Sequence, residues 1–315
     1  MPQTNPPFVP FWQPALARPE IWRSLLGLVL IHVAFLAATF IVILMGGKLL
    51  GVTPQSIVEG STPAKAMIFF TTFLGYHLGL YLVVRFLHKR PYHSLFGPLM
   101  RLKWRQFFYG LGAAFALSVL TGVIEATGLI PPPDTDAPEI RQSLPMATWA
   151  MLVLPALALI FIQIMAEELV FRGYLLQQLR ARFSSIWLWA ILPSFLFGIL
   201  HFDQATYGTN AYFYVLHTTA AGIILALVTL RTGNIAAAAG LHMANNAMLL
   251  ILGNEGSLDG LSLFLTSPDL TSPYVGLSIF TQTVLMCLAF SAWWVWSRPR
   301  ANSDKQLQMP SGKTN

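Results

Sequence analysis

Eight runs of about 20 predominantly apolar residues follow one another along this chain, and that length is what an α-helix needs to cross a bilayer. Inside hydrocarbon, each backbone N–H and C=O must be satisfied within the protein, so the runs are expected as helices. They are Ser24–Met45, Ala64–Leu87, Phe107–Leu129, a fourth from Ala147 that contains Pro155, Ile186–Phe202, Ala211–Leu230, Ile235–Leu252 and Tyr274–Trp296. The expected fold class is therefore all-α: a polytopic integral membrane protein with about eight transmembrane helices. With 55% hydrophobic and only 10% charged residues among 315, no pair of soluble domains competes with this reading.

The distribution of charge sets the expected orientation. A net charge of +6 could point to nucleic acid, but the bases sit in short loops beside apolar runs, where the positive-inside rule accounts for them. Arg85, Lys89, Arg90, Arg101, Lys103 and Arg105 crowd one loop, and Arg180, Arg182, Arg231 and the tail from Arg298 fall on the same side of an eight-span chain. Lys48, Lys65 and Arg141 remain opposite. Acids gather there, as Asp134, Asp136 and Glu139 after Pro131-Pro132-Pro133, and as Glu255, Asp259 and Asp269 between 253 and 273. Both termini are expected in the cytosol, with the proline-rich residues 1–19 as an irregular tail. The first run is too long for a signal peptide, and Gly46-Gly47-Lys48 is a poor cleavage context. A single cysteine, Cys287, allows no intrachain disulfide.

Against this background one stretch stands out: Gln163-Ile164-Met165-Ala166-Glu167-Glu168-Leu169-Val170-Phe171-Arg172. Ionisable groups at membrane depth are costly, so they need partners or a task. Glu168 and Arg172 stand one helical turn apart and can pair, as a structural ion pair. Glu167 is rotated about 100° from Glu168 and cannot share that partner equally, which leaves it free. Two other runs carry polar groups at helical spacing: Phe197 with His201, and His242 with Asn246. If the chain reverses near Ser184, Glu167 and His201 each lie seventeen residues from the turn, roughly 25 Å along their helices. His242, nine residues beyond Gly233, also falls inside. The three runs can converge. His32, His77, His88, His93 and His217 lack such matched partners and read as structural, as does the loop Leu258-Asp259-Gly260. No His-Glu-x-x-His, Gly-x-Ser-x-Gly or Gly-rich phosphate loop occurs.

Glu167-Glu168-x-x-x-Arg172, Phe197-x-x-x-His201 and His242-x-x-x-Asn246 resemble, in order and on three spans, the three motifs of the CPBP (Abi) family. That family includes type II CAAX prenyl endopeptidases and bacteriocin-processing or immunity proteins. The resemblance covers about residues 147–253, with residues 1–146 as tail and three helices, and 254–315 as outer loop, last helix and basic tail. It implies an intramembrane endopeptidase acting on a membrane-associated protein or peptide, prenylated or otherwise lipid-anchored, with the lipid bilayer as surroundings and no nucleic acid. By the same resemblance Glu167 and His201 activate water, while His242 and Asn246 stabilise the oxyanion.

The family has been described both as glutamate-dependent and as metal-dependent. A catalytic zinc needs three protein ligands and a water, and here it would take His201 and His242 with Glu167 or Glu168. Using Glu167 removes the free base, and using Glu168 strands Arg172, so no cofactor is favoured and zinc is the competing expectation. The other classes to separate are a non-proteolytic immunity or scaffold protein, and a transporter or proton relay. No internal repeat supports a transporter built on inverted halves.

Overall fold

The structure is a computed structural model, which describes residues 9–128, 139–256 and 258–297, apart from the side chain of Glu125. The proline run, Asp134, Asp136 and the basic tail lie outside the described residues. Eight helices carry the eight apolar runs: α1 Ile21–Leu50, α2 Pro63–Leu87, α3 Trp104–Ala126, α4 Met146–Arg182, α5 Trp187–Ile199, α6 Asn210–Thr232, α7 Ala236–Ala247 and α8 Pro273–Trp296. The described residues are all-α apart from three very short strands.

Six of these helices are long and apolar enough to cross a membrane. The other two are not. α5 has 13 residues and α7 has 12, about 20 Å each at 1.5 Å per residue, against a hydrocarbon core of about 30 Å. The expected spans 186–202 and 235–252 therefore hold helices that stop part-way. Both stop beside the polar residues singled out above. Beyond Ile199 the chain turns through His201 to Asp203, whose carboxylate accepts from the Thr206 N–H and caps a single turn, Gln204–Tyr207. α7 tightens after Ala247 into the turn Met248–Leu250.

α4 is the central post. Ile160, Ile164, Leu169, Tyr174 and Leu176 along it are fully buried, whereas α1 and α8 keep most of their apolar surface outward, as lipid-facing helices do. α7 is pressed onto α3: a Cβ on Gly240 would stand 1.9 Å from the Phe107 carbonyl oxygen, and one on Gly110 2.2 Å from that of Ala237. Small residues at such crossings let helix backbones approach where no hydrophobic force drives association. Gly198 plays the same part between α5 and α6, facing Thr219.

At one end of the bundle, Asn234 fastens the turn before α7. Its amide donates to the Phe96 and Arg101 carbonyls, and its oxygen accepts from the Lys103 and Ala236 N–H groups. Residues 9–20 pack there too, with Phe11 and Ala15 buried and Trp12 beneath the Arg180 guanidinium. The expected irregular tail is thus a docked segment in its described part. At the other end a three-stranded sheet caps the molecule. β1 Arg141–Gln142 runs antiparallel to β3 Phe264–Thr266, and β2 Leu252–Asn254 runs parallel to it, in the order β1-β3-β2. An Arg141–Glu255 ion pair of 2.6 Å ties the cap together. Leu258-Asp259-Gly260 belongs to it as a turn, with Gly260 against the Thr62 backbone.

Candidate active site

Glu168 ends the regular α-helical part of α4, and wider π-helical turns run from Leu169 to Leu175. Such insertions favour functional positions because they re-aim side chains. Here they surround Arg172, whose Nη1 donates to Glu168 Oε1 at 2.8 Å with both side chains out of solvent, 2% and 0% exposed. Arg172 also lies over the Phe197 ring at 5.2 Å. The expected pair is present.

Glu168 carries a second bond that the spacing did not reveal. His242 Nδ1 lies 2.9 Å from the same Oε1. The ionised partner of Arg172 can only accept, so His242 donates from Nδ1 and turns Nε2 the other way. Nε2 lies 3.6 Å from Glu167 Oε2. Glu167 is the accessible acid of the two, its side chain 16% exposed against none for Glu168. Adjacent carboxylates have been sorted by helix geometry into one held by a cation and one left more exposed.

Glu167 is steadied by Gln163, one turn earlier on α4. The Gln163 amide donates to Glu167 Oε1 at 2.6 Å, and its oxygen accepts from the Asn246 amide at 2.8 Å. Asn246 is thereby joined to α4, while Asn245 donates to its oxygen at 3.2 Å. His201 donates from Nδ1 to the Phe197 carbonyl at 2.8 Å, which leaves Nε2 as the acceptor nitrogen. Its ring lies 4.7 Å from that of Phe197, and the His242 ring is 6.4 Å from the same phenylalanine. Phe197 therefore touches Arg172, His201 and His242. Among the described residues, His201 makes no ion pair or direct hydrogen bond with Glu167.

All six expected residues thus gather where the short helices α5 and α7 end beside α4. Tyr76 and Tyr214 stand on α2 and α6 within electrostatic reach of Glu167. The Tyr214 ring is 6.1 Å from that of His201. Sequence reasoning missed both tyrosines, which share no spacing with the motifs, and it quoted Gln163 without a role. The other histidines have ordinary partners: His77 bonds the Tyr92 hydroxyl and the Ile162 carbonyl, and His217 bonds Thr283.

Among the described residues no three His, Cys, Asp or Glu side chains are grouped as a metal ion requires. Glu168 is engaged by Arg172 and His242, so a zinc set that used Glu168 would strand Arg172.

Comparison with known proteins agrees with the geometry. Residues 148–248 match the family model described as type II CAAX prenyl endopeptidase Rce1-like. The matched residues take in nearly all of α4 and the whole of α5 to α7, with the six expected residues, and the match supports a CAAX-type intramembrane endopeptidase within a multi-pass membrane protein. Over a longer stretch the chain is similar to the uncharacterized protein YyaK of Bacillus subtilis (strain 168). The two are 28% identical over 230 residues, which is 72% of this chain and 74% of that one.

Proposed function

We propose that the protein hydrolyses a peptide bond of a membrane-associated protein or peptide, using Glu167 and His201 to activate water. The observation that carries this reading is the division of labour between the two glutamates: Glu168 is committed to Arg172 and His242, and Glu167, the more exposed of the two, lies beside His242 and is joined through Gln163 to Asn246. Among the described residues Glu167 and His201 make no direct bond, and in this reading the two act on one water. Attack of that water on the scissile carbonyl forms the new C–O bond, and its proton passes to Glu167. The oxyanion is received by the Asn246 amide and by the His242 ring, which Glu168 holds from Nδ1. Donors fixed in a water-poor site stabilise such charge strongly. Collapse breaks the C–N bond, and Glu167 returns its proton to the leaving amine.

The test uses purified protein in lipid vesicles with an internally quenched, farnesylated peptide ending in a CAAX sequence. Wild type should cleave it, while Glu167→Gln, His201→Ala and His242→Ala should lose more than about a hundredfold in kcat yet accumulate in the membrane. An active Glu167→Gln preparation free of wild type removes the base. The mechanism is metal-free: the enzyme should stay active after prolonged chelation. Stoichiometric zinc, with activity lost on chelation and restored by zinc alone, overturns that. A flux of solute through the same vesicles without cleavage favours a transporter, and partner binding without cleavage favours an immunity or scaffold protein.

The orientation proposed with this function has both termini and the 88–105 loop in the cytosol, and the sheet cap outside. Reporter fusions after Pro138 and Asp304 should report opposite sides of the membrane.

A further inference from the structure

Glu167 and Asn246 sit on different helices, α4 and α7, yet the proposed chemistry needs the carboxylate and the amide to hold one relation. Gln163 is what joins them. An ionised carboxylate accepts and cannot donate, so the Gln163 NH2 must face Glu167. Its oxygen must then face Asn246, and the Asn246 NH2 must face Gln163. The Asn246 oxygen is turned away in consequence, to where Asn245 donates to it. The result is a one-way chain of donors, Asn245 to Asn246 to Gln163 to Glu167. One N–H of Asn246 stays outside the chain.

We propose that Gln163 is a positioning residue that locks the Glu167 carboxylate and the Asn246 amide into a single donor–acceptor register. Without it, only the exposed Asn245 is left to orient the Asn246 amide, and a flipped amide presents an acceptor to the oxyanion in place of a donor. Gln163 has little exposed surface, 6%, and it acts through its two neighbours. The inference rests on the reading of Glu167 as base and Asn246 as oxyanion donor.

Gln163→Met keeps the volume and removes both polar atoms. With the quenched farnesylated peptide in vesicles, kcat should fall by about ten- to a hundredfold, the cost of a small misplacement, with KM within about twofold. A double-mutant cycle with Asn246→Ala separates register from general packing: Gln163→Met should cost at least about tenfold less in the Asn246→Ala background than in wild type. Equal fold losses in both backgrounds, or a wild-type kcat for Gln163→Met, overturn the proposal. Should Gln163→Met fail to accumulate, Gln163→Glu has the same shape and turns the donor facing Glu167 into an acceptor; its wild-type activity overturns the proposal equally.

The failure of the wider reading is distinguishable, because Glu167→Gln is then active as well. A readout without turnover comes from the side-chain amide resonances of asparagine-labelled protein in nanodiscs. Glu167→Ala should shift the Asn246 signal, and Gln163→Met should abolish that shift. An Asn246 signal indifferent to Glu167 in the wild-type background sinks the relay even if no peptide is ever cleaved.

Discussion

Two arginines are buried against α4, and they are accommodated in opposite ways. Arg172, beside the candidate site, is paired with a carboxylate that it shares with His242. Arg90, packed near the end of the same helix, pairs with no acid among the described residues. It donates from Nη1 to the Gln177 side chain, and Nε and Nη2 are buried without a hydrogen-bond partner. Burial there lowers the Arg90 guanidinium to about 10. Around it runs a neutral network: Gln177 donates to the Ser94 carbonyl, Gln178 donates to His88 Nδ1, His88 Nε2 donates to the Tyr174 hydroxyl, and Tyr174 donates to the Ser24 carbonyl. The first layer is electrically closed and the second is held by amides and carbonyls. A closed pair can sit at the depth where chemistry is done; an arginine held by neutral groups is confined to the helix end, nearer the polar loops.

The difference predicts unequal responses to mutation. Removing Glu168 should do the most damage, because it leaves a buried guanidinium unpaired and takes away the acceptor of His242. Glu168→Ala should cost about 3–5 kcal/mol, read as lost monodisperse yield and a lower thermal midpoint in detergent. Arg172→Met in the same background should recover part of that loss, and no recovery would mean the pair is not the main partner of either residue.

A smaller effect is expected in the neutral layer. Gln177→Leu should cost about 1–3 kcal/mol by leaving donors of Arg90 unmet. Arg90→Met alone should stay within about 1 kcal/mol of wild type, since it strands no acid. If Arg90→Met proves as harmful as Arg172→Met, the contrast between the layers fails.

The smallest effect concerns pH. Burial, and then the charge of Arg90, push His88 down to about 4, below the ordinary value of about 6.5. Between those values the unfolded chain binds the proton that the folded chain refuses. His88 therefore contributes stability that is complete above about pH 6.5 and lost as the pH falls toward 4. The thermal midpoint should drop across that window, and His88→Gln should flatten the slope; an unchanged slope would assign it to other groups.

The sequence was most informative where physics leaves little freedom. Apolar runs had to be helices, because hydrocarbon offers backbone groups no other partner. Arg172 had to find Glu168, one turn away on the same helix. The polar residues at helical spacing marked the cluster, with Glu167, His201, His242 and Asn246 all brought to one place. Less was legible about length. Runs 186–202 and 235–252 look like spans by composition, and only the fold shows that their helices stop short, with His201 beyond the end of one and Asn246 near the end of the other.

What tertiary structure alone decided is how the polar groups are shared. No spacing says that His242 donates to the oxygen already held by Arg172, that Gln163 bridges two helices, or that Phe197 lies against three site residues at once. Those relations depend on how closely α3, α4 and α7 approach, which Gly110 and Gly240 permit through their missing side chains. A local pattern fixes which face of a helix a group occupies. Which group it meets is set by the rotation and depth of the neighbouring helix, and these follow from packing over the whole bundle.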